Sequence, residues 1–416
     1  MDKERVTRVI LWGNTVGYAT WNQKEQCAVF QYDPEFSKSG YDVAPLMMPL
    51  ASRPYRFGSL SRETFRGLPG MLSDSLPDSY GNALIDKWID KNNIRRSDFT
   101  PLDRLCYIGK RGIGALEYEP AVGKAYDGRI DVNKLSDLAA SVLSDREEFR
   151  SDLTCEGLEE LLSVGTSAGG ARAKAVIGIN EKGEVRSGQA GLPDGHSHWL
   201  IKFDTEPDRS GKIWFCRIEY AYHEMAKDCG IDMTECRLLE IGNKAHFITK
   251  RFDRIKNEKI HTQTLCALAH FDFRVPTGSY ADLMNITRHL QMPYSDQEQV
   301  FRRMVFNAVM RNRDDHTKNF SFLMAKDGRW RLSPAYDMTY VFDPADRLAQ
   351  QQLMSGPQDI TRKDLIAFAD RMNIGNAADI IDTIISVSAE WKRYARSSGV
   401  PERTADKIDA VLLRDI

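Results

Sequence analysis

Through the first fifty positions apolar residues alternate with polar ones or run together briefly: VTRVILWG, GYATW and CAVFQY each lie between turn-forming residues. This patterning predicts short strands, so the chain should open with a small β-rich unit. From about residue 60 the spacing changes: RETFRGLPGMLSDSLPDSYGNALIDKWI sets two proline turns ahead of a helical stretch, and LCYIGKRGIGALEYEP places three glycines before another strand-like run. In VNKLSDLAASVL the apolar positions recur three and four apart, which predicts a helix; LEELLSVG continues the pattern and stops at Gly165. GTSAGGARAKAVIGI then reads as a small-residue loop entering a strand, EKGE as a turn and HWLIKFD as a second strand. IWFCRIEYAYHEMAKDCG predicts an amphipathic helix closed by Gly230, and HFITKRFDR another strand. Beyond about residue 255 the period is mostly helical. In QEQVFRRMVFNAVM the residues Val300, Phe301, Met304, Val305, Ala308 and Val309 share one face, and DIIDTIISVSAEW repeats the style with Ile381, Ile384, Ile385 and Trp391. Strands early and helices late make this a two-lobed α+β protein.

Composition narrows the function classes. A chain of 416 residues with a hydrophobic share of 42% and a charged share of 28% is a folded, globular chain of two or three domains. A net charge of −2 supplies no overall attraction to nucleic acid or anionic lipid, so either partner would need a local patch. The start, MDKERVTRV, has no apolar segment behind its charges, and no run of about 18 apolar residues occurs. A cytoplasmic location without membrane contact is therefore expected. Seven cysteines with no CxxC pair fit neither a disulfide framework nor a zinc ribbon, and His196 with His198, beside glycines and a proline, reads as a solvated turn. GKRGIG is neither a dinucleotide fingerprint nor a Walker A loop, so its glycines are assigned to tight turns.

The chemistry concentrates in RNRDDHTKNFSF, residues 311–322, a polar loop between a helix ending near Met310 and a short strand. KDG offers an Asp-Gly turn, and WRLSPAYD returns as the second arm of a hairpin ending in Asp337. Asp314 and Asn319 stand five apart, the spacing of the Asp and Asn in a protein-kinase catalytic loop, and Asp337 falls where a kinase keeps its second magnesium-binding carboxylate. Magnesium takes oxygen ligands, usually one or two carboxylates plus phosphates and water, and Asn319 with Asp337 can supply them. Asp315 competes with Asp314; the spacing favours Asp314 and leaves Asp315 a solvated or turn-stabilising neighbour. His316 serves as a base or, better suited to a reaction dominated by positioning, as a strut shaping the loop. Lys318 either brings positive charge to the transferred phosphate or is simply solvated.

Upstream, GTSAGGA offers glycines, Gly169 and Gly170 with Ala171, whose backbone N–H groups can approach phosphate oxygens; a plain flexible turn is the alternative. Lys202 projects from a strand in which Trp199, Ile201 and Phe203 point the other way. Burying it without a partner is costly. Phosphate oxygens and a glutamate from the next helix, Glu219 or Glu224, would offset that cost; a salt bridge to any nearby arginine is the alternative. Around Lys250 to Phe252 the chain could supply backbone hydrogen bonds to an adenine.

The segments SAGGARAKA, LIKFD, TKRFDR, NRDDHTKNFSF and LSPAYD together resemble the HipA family of bacterial serine/threonine kinases, toxins of type II toxin–antitoxin modules. GLPGMLSDSLPDSYGNALID and IGKRGIGALEYEP resemble that family's amino-terminal subdomain. The resemblance implies a protein-kinase-like fold: a β-rich N-terminal subdomain over residues 1–120, the remainder of the kinase N-lobe over 121–254, and an all-helical C-terminal lobe over 255–416. It maps Lys202 onto the ATP-phosphate lysine, Asp314 onto the catalytic aspartate, and Asn319 with Asp337 onto Mg2+. It further implies autophosphorylation at Ser167, with Thr166 as a second acceptor, and self-inhibition by that phosphate. By family analogy the substrate is an aminoacyl-tRNA synthetase such as the glutamyl enzyme. A HipB-like helix-turn-helix antitoxin would be the partner, and DNA would be met mainly through it. Two departures stand out: Arg172 and Ala173 replace the Gln and Glu of some members, and Lys250 stands where an acidic residue can occur. A catalytically quiet nucleotide-binding co-repressor and a small-molecule kinase are the competing readings.

Overall fold

The computed structural model describes residues 6–77, 79–123, 128–144, 165, 172–189, 191–204, 207–208, 211–212, 214–342 and 360–416. The three expected opening strands form β1 (Val6–Leu11), β2 (Asn14–Asn22) and β3 (Cys27–Tyr32), joined by β4 (Tyr55–Arg56) and β5 (Leu116–Glu119) in an antiparallel sheet of order β4-β3-β2-β1-β5. Their alternation buries Val9, Leu11, Val16, Ala19, Ala28 and Phe30 in the main core. Among the three glycines of LCYIGKRGIGALEYEP, Gly109 and Gly114 hold positive φ, which agrees with a turn role. The first part of that stretch completes a helix, α1 (Pro101–Ile108), that the glycine-centred reading missed; Thr100 and Asp103 form a capping box at its start.

The second sheet contains β6 (Lys174–Asn180), β7 (Val185–Ser187), β8 (His196–Lys202), β9 (Cys236–Ile241) and β10 (Lys244–Lys250), in the order β9-β10-β8-β6-β7. One face, carrying Ala175, Ile177, Trp199, Ile201 and Ile248, packs against Leu84, Ile85 and Ile89 of the helix Ser79–Lys91 and Leu135 of the helix Val132–Ser144. The other face is covered at one end by α2 (Phe215–Asp228), which stops before Gly230 at φ +72° as expected. The expected helix LEELLSVG lies outside the described residues except for Gly165. His196 and His198 open β8 rather than occupying a solvated turn. His198 is buried with Nε2 3.3 Å from Asn257 Oδ1, and burial, reinforced by Arg251, lowers its pKa to about 4.

The C-terminal region is built on α3 (Tyr280–His289) and α4 (Tyr294–Val309), with the later helices Arg362–Arg371, Ala377–Ala389, Trp391–Ser397 and Glu402–Asp409. All six apolar residues expected on one face of α4 are buried. The lobe is helical but carries one three-stranded sheet: β11 (His261–Thr264) pairs with the hairpin β12 (Ser321–Met324) and β13 (Trp330–Leu332). The hairpin was legible as an Asp-Gly turn between apolar arms; β11, with sequence HTQT, has no apolar alternation to show it. Among the described residues no helix is long and apolar enough to cross a membrane.

Contacts at two places, among others, join the first sheet's domain to the rest. Gly70 lies so close to the short helix Leu265–Ala269 that a Cβ there would sit 2.1 Å from the Ala267 carbonyl, and Asp74 accepts from the Thr264 backbone N–H at 2.6 Å. Asp253, just after β10, is buried and accepts two bonds from Arg251, at 2.8 and 2.7 Å. It also accepts from Arg254 at 2.7 Å and from the Gly114 N–H at 2.8 Å, while Arg254 donates to the carbonyls of Gly112 and Gly114. The glycines of GKRGIG thus bind a buried ion cluster at the link between the lobes. Burial alone would raise the Asp253 pKa, but the two guanidinium groups hold it well below the usual carboxylate range.

Asp253→Asn leaves two buried cations short of their counter-charge and should destabilise the chain by about 3 kcal/mol in urea unfolding at neutral pH. Because the folded pKa is depressed, the carboxylate's contribution is present above about pH 4 and lost as pH falls further, so wild type and variant should converge in acid. An undiminished gap at low pH would contradict the assignment.

Candidate functional site

The alternation of β8 turns Trp199 and Ile201 into the core and leaves Lys202 on the opposite face, as the sequence indicated. Lys202 is buried there, and its ammonium donates to Glu219 Oε1 at 2.6 Å and to Asp337 Oδ1. Glu219 stands one turn into α2 and is almost fully buried; Glu224, the other candidate, instead faces Lys227 and His223, each at 3.4 Å. Lys174 of β6 lies directly across from Lys202 in the sheet register, so both lysines project to the same face. Burial would drive the Lys202 pKa down, but Asp337 and Glu219 outweigh it and hold the ammonium charged. For Asp337, burial is outweighed by Lys202 and Lys174, and its carboxyl stays ionised well below the usual range. Burial dominates at Glu219 and raises its pKa despite Lys202.

The C-terminal half of the site follows α4. Arg311, at φ +55°, turns the chain, and residues 312–320 form a loop with a single short turn at Thr317–Asn319. Asp314 is exposed in this loop, and Asn319 Nδ2 donates to its backbone carbonyl at 2.7 Å, a bond that does not use Asn319 Oδ1. Partial burial, reinforced by the negative charge of Asp337, raises the Asp314 pKa; His316, with Nε2 3.7 Å away, and Lys202 oppose the shift.

Asp315 is not solvated. It is buried and accepts from the Tyr280 hydroxyl at 2.8 Å, and Tyr280 in turn accepts from Asn307 Nδ2 at 2.8 Å. The two neighbouring aspartates therefore point into different environments, one into the open loop and one into the lobe. His316 packs edge-on against Phe273, and the Lys318 ammonium lies 4.7 Å from the centre of the same ring. Lys318 is thus not simply solvated: its ammonium lies over the Phe273 ring.

Asp337 sits at φ +57°, a left-handed conformation that costs a non-glycine residue energy and is held by what surrounds it. Arg303, buried inside α4, donates to the Ser333 carbonyl at 2.6 Å, and the Ala335 N–H donates to the Asp232 carbonyl at 2.7 Å. The Tyr336 hydroxyl donates to the Lys318 carbonyl at 2.6 Å and lies 2.6 Å from Ser321 Oγ. Phe252 contacts the Tyr336 ring with centroids 5.5 Å apart, which brings the segment after β10 to the same place. Lys250 does not join it: its side chain is on the exposed side, 3.7 Å from Glu235, and its N–H is taken by the Glu235 carbonyl. Thr166, Ser167, Gly169, Gly170 and Ala171 lie outside the described residues.

The structure thus gathers Lys202, Glu219, Asp337, Asp314, Asn319, His316 and Phe252 around one cleft and leaves Glu224 and Lys250 out. Lys174, Tyr336 and Arg303 were missed. Lys174 carried a signal, since KAVIGI begins with a charged residue at the register of Lys202; the roles of Tyr336 and Arg303 depend on chain reversals that no local pattern encodes.

Comparison with known proteins adds to this geometry. Residues 7–119 match the model of the HipA N-terminal domain, and residues 166–397 match that of the HipA-like C-terminal domain. A protein of Haemophilus influenzae named "Putative kinase" is 29% identical over 154 residues, 33% of this chain and 45% of that protein. "Putative kinase Y4dM" of Sinorhizobium fredii is 22% identical over 235 residues, 51% of this chain and 56% of that protein. The chain therefore spans about half the length of these curated relatives. Among solved structures, HipA from the Shewanella oneidensis complex of HipA, HipB and operator DNA superposes with a TM-score of 0.65 at 16% identity, covering 97% of this chain and 94% of that one. This likeness is one of fold, and it joins the β-rich and helical halves in a single HipA-like architecture. With the C-terminal model alone spanning more than half of the sequence and the N-terminal model covering most of the remainder, the chain belongs to the HipA family.

Proposed function

We propose that this protein is an ATP- and magnesium-dependent serine/threonine protein kinase. The observation that carries the reading is the buried Lys202, shared between Glu219 of α2 and Asp337 of the loop after β13, with Asp314 near enough for its carboxyl to feel the charges of both Asp337 and Lys202. In phosphoryl transfer the protein's task is chiefly positioning and charge stabilisation, and this set offers a cation for phosphate, a base and metal ligands.

The residues fit the metal. Asp337 is kept ionised, and the bond from Asn319 Nδ2 to the Asp314 carbonyl does not use the amide oxygen, the atom that would ligate a metal. Magnesium usually takes one or two protein oxygens and completes its shell with phosphates and water. Magnesium would neutralise charge on the phosphates. Lys202 would then trade the Asp337 carboxylate for phosphate oxygens while Glu219 keeps it in place. Asp314 accepts the proton of the acceptor hydroxyl, a task its raised pKa suits. Asp315 acts at one remove by fixing the loop through Tyr280.

The further assignments rest on the family resemblance: Ser167 or Thr166 as the autophosphorylated residue, a cytoplasmic protein acceptor such as an aminoacyl-tRNA synthetase, and a HipB-like antitoxin as partner. The fold shared with a HipA structure that contains HipB and operator DNA supports the last of these.

Intact-mass measurement after incubation with magnesium and ATP should show phosphate gained by the wild type. Asp314→Asn and Asp337→Asn should each slow the gain by at least about a hundredfold. Asp315→Asn should instead cost on the order of 1–3 kcal/mol of stability in urea unfolding. Equal rates for Asp314→Asn and wild type would remove Asp314 from the chemistry.

Charge coupling gives a separate check. In Lys202→Met the Asp337 carboxyl loses its principal cation, so its titration by carbon-13 NMR should move up to or beyond the ordinary carboxylate value of about 4. An Asp337 carboxyl still ionised well below that value would contradict the pairing.

A further inference from the structure

Arg172, two residues before β6, takes no part in the contacts around Lys202 and Asp337. Its guanidinium lies 3.6 Å above the ring of Phe215, the first residue of α2. Among the described residues no acceptor takes a hydrogen bond or ion pair from its five N–H donors, while the ring holds its position.

The register says where those donors lie. Phe203 N–H donates to the Ala173 carbonyl at 3.0 Å, and Lys174 lies opposite Lys202, so alternation returns Arg172 to the face that carries both lysines. Phe215 itself is one turn before Glu219, which holds Lys202, and its neighbour Cys216 lies 3.5 Å from the Lys202 carbonyl. Three cationic side chains, Arg172, Lys174 and Lys202, therefore converge on the end of the cleft occupied by Glu219, Asp314 and Asp337. The charge of Arg172 is felt at the carboxyls of both Glu219 and Asp314, which it stabilises in their ionised forms. Lys202 is engaged by carboxylates, whereas among the described residues Arg172 bonds no acceptor. A planar guanidinium pre-oriented by stacking matches the paired oxygens of a phosphoryl group better than an ammonium does.

We propose that Arg172 binds the terminal phosphoryl group of ATP and holds it during transfer. This rests on the kinase reading and deepens it. In the step, the acceptor hydroxyl oxygen bonds to the terminal phosphorus as the bond from that phosphorus to the bridging oxygen breaks. The hydroxyl proton passes to Asp314, and the electron pair leaves on ADP. Arg172 donates to the non-bridging oxygens throughout, so it contributes to ATP and not to ADP.

The test is calorimetric binding of a non-hydrolysable ATP analogue and of ADP, each with magnesium, to the full chain and its variants. Arg172→Ala should bind the analogue about tenfold to a hundredfold more weakly, with ADP affinity changed less than about twofold. Arg172→Lys should recover part of the loss. Phe215→Leu, which removes the stack but keeps the guanidinium, should show a smaller, equally analogue-selective loss. A parallel fall for both nucleotides in Arg172→Ala would mean that the residue only shapes α2, and unchanged affinity for both would mean that it faces solvent; either result overturns the assignment while leaving the kinase reading intact. A wild type that binds neither nucleotide would overturn the kinase reading and this proposal together.

Discussion

A lysine ammonium buried at the meeting of two lobes cannot be left unpaired, and much of this structure arranges its partners. Lys202 comes from the middle sheet, Glu219 from the helix that follows it, and Asp337 from a loop more than a hundred residues later. Desolvation opposes each charge, and mutual attraction repays it only if all three stay in place. The pairing therefore ties the sheet, α2 and the loop after β13 to one geometry.

Other contacts serve that geometry. Asp337 occupies a left-handed conformation because Arg303 holds the Ser333 carbonyl, Asp232 holds the Ala335 N–H and the Tyr336 hydroxyl reaches the Lys318 carbonyl. Tyr336 in this way links the segment bearing Asp337 to the turn bearing Asn319, while Asp315 and Tyr280 fix the other end of the same loop. The first sheet's domain takes part as well: Asp74 holds Thr264 at the end of β11, the strand paired with β12, and the loop of Gly112 and Gly114 closes the Asp253 cluster at the link between lobes. Such a site is organised before any ligand arrives, which is what a reaction governed by positioning requires.

Much of this was legible in the sequence because strands and helices print their periods. The alternation of HWLIKFD set Lys202 apart from its neighbours, and the spacing of Asp314 to Asn319 with an Asp-Gly hairpin before Asp337 marked the loops. What was hidden depends on contacts between distant segments. Glu219 and Glu224 lie five residues apart, about 140° around a helix, so only one can meet Lys202, and the sequence does not say which. Asp315 looked solvated because its partner Tyr280 is 35 residues away. His196 and His198 looked like a turn because glycine and proline precede them, yet pairing with β6 makes them strand residues.

The central claim is that Asp337 is a metal ligand in a nucleotide site rather than only the counter-ion of Lys202. The most direct measurement is the affinity of the purified chain for a non-hydrolysable ATP analogue as magnesium is varied, in the wild type and in Asp337→Asn. The account predicts affinity that rises with magnesium in the wild type and a response that is flattened in the variant. A magnesium response in Asp337→Asn as steep as that of the wild type would contradict it.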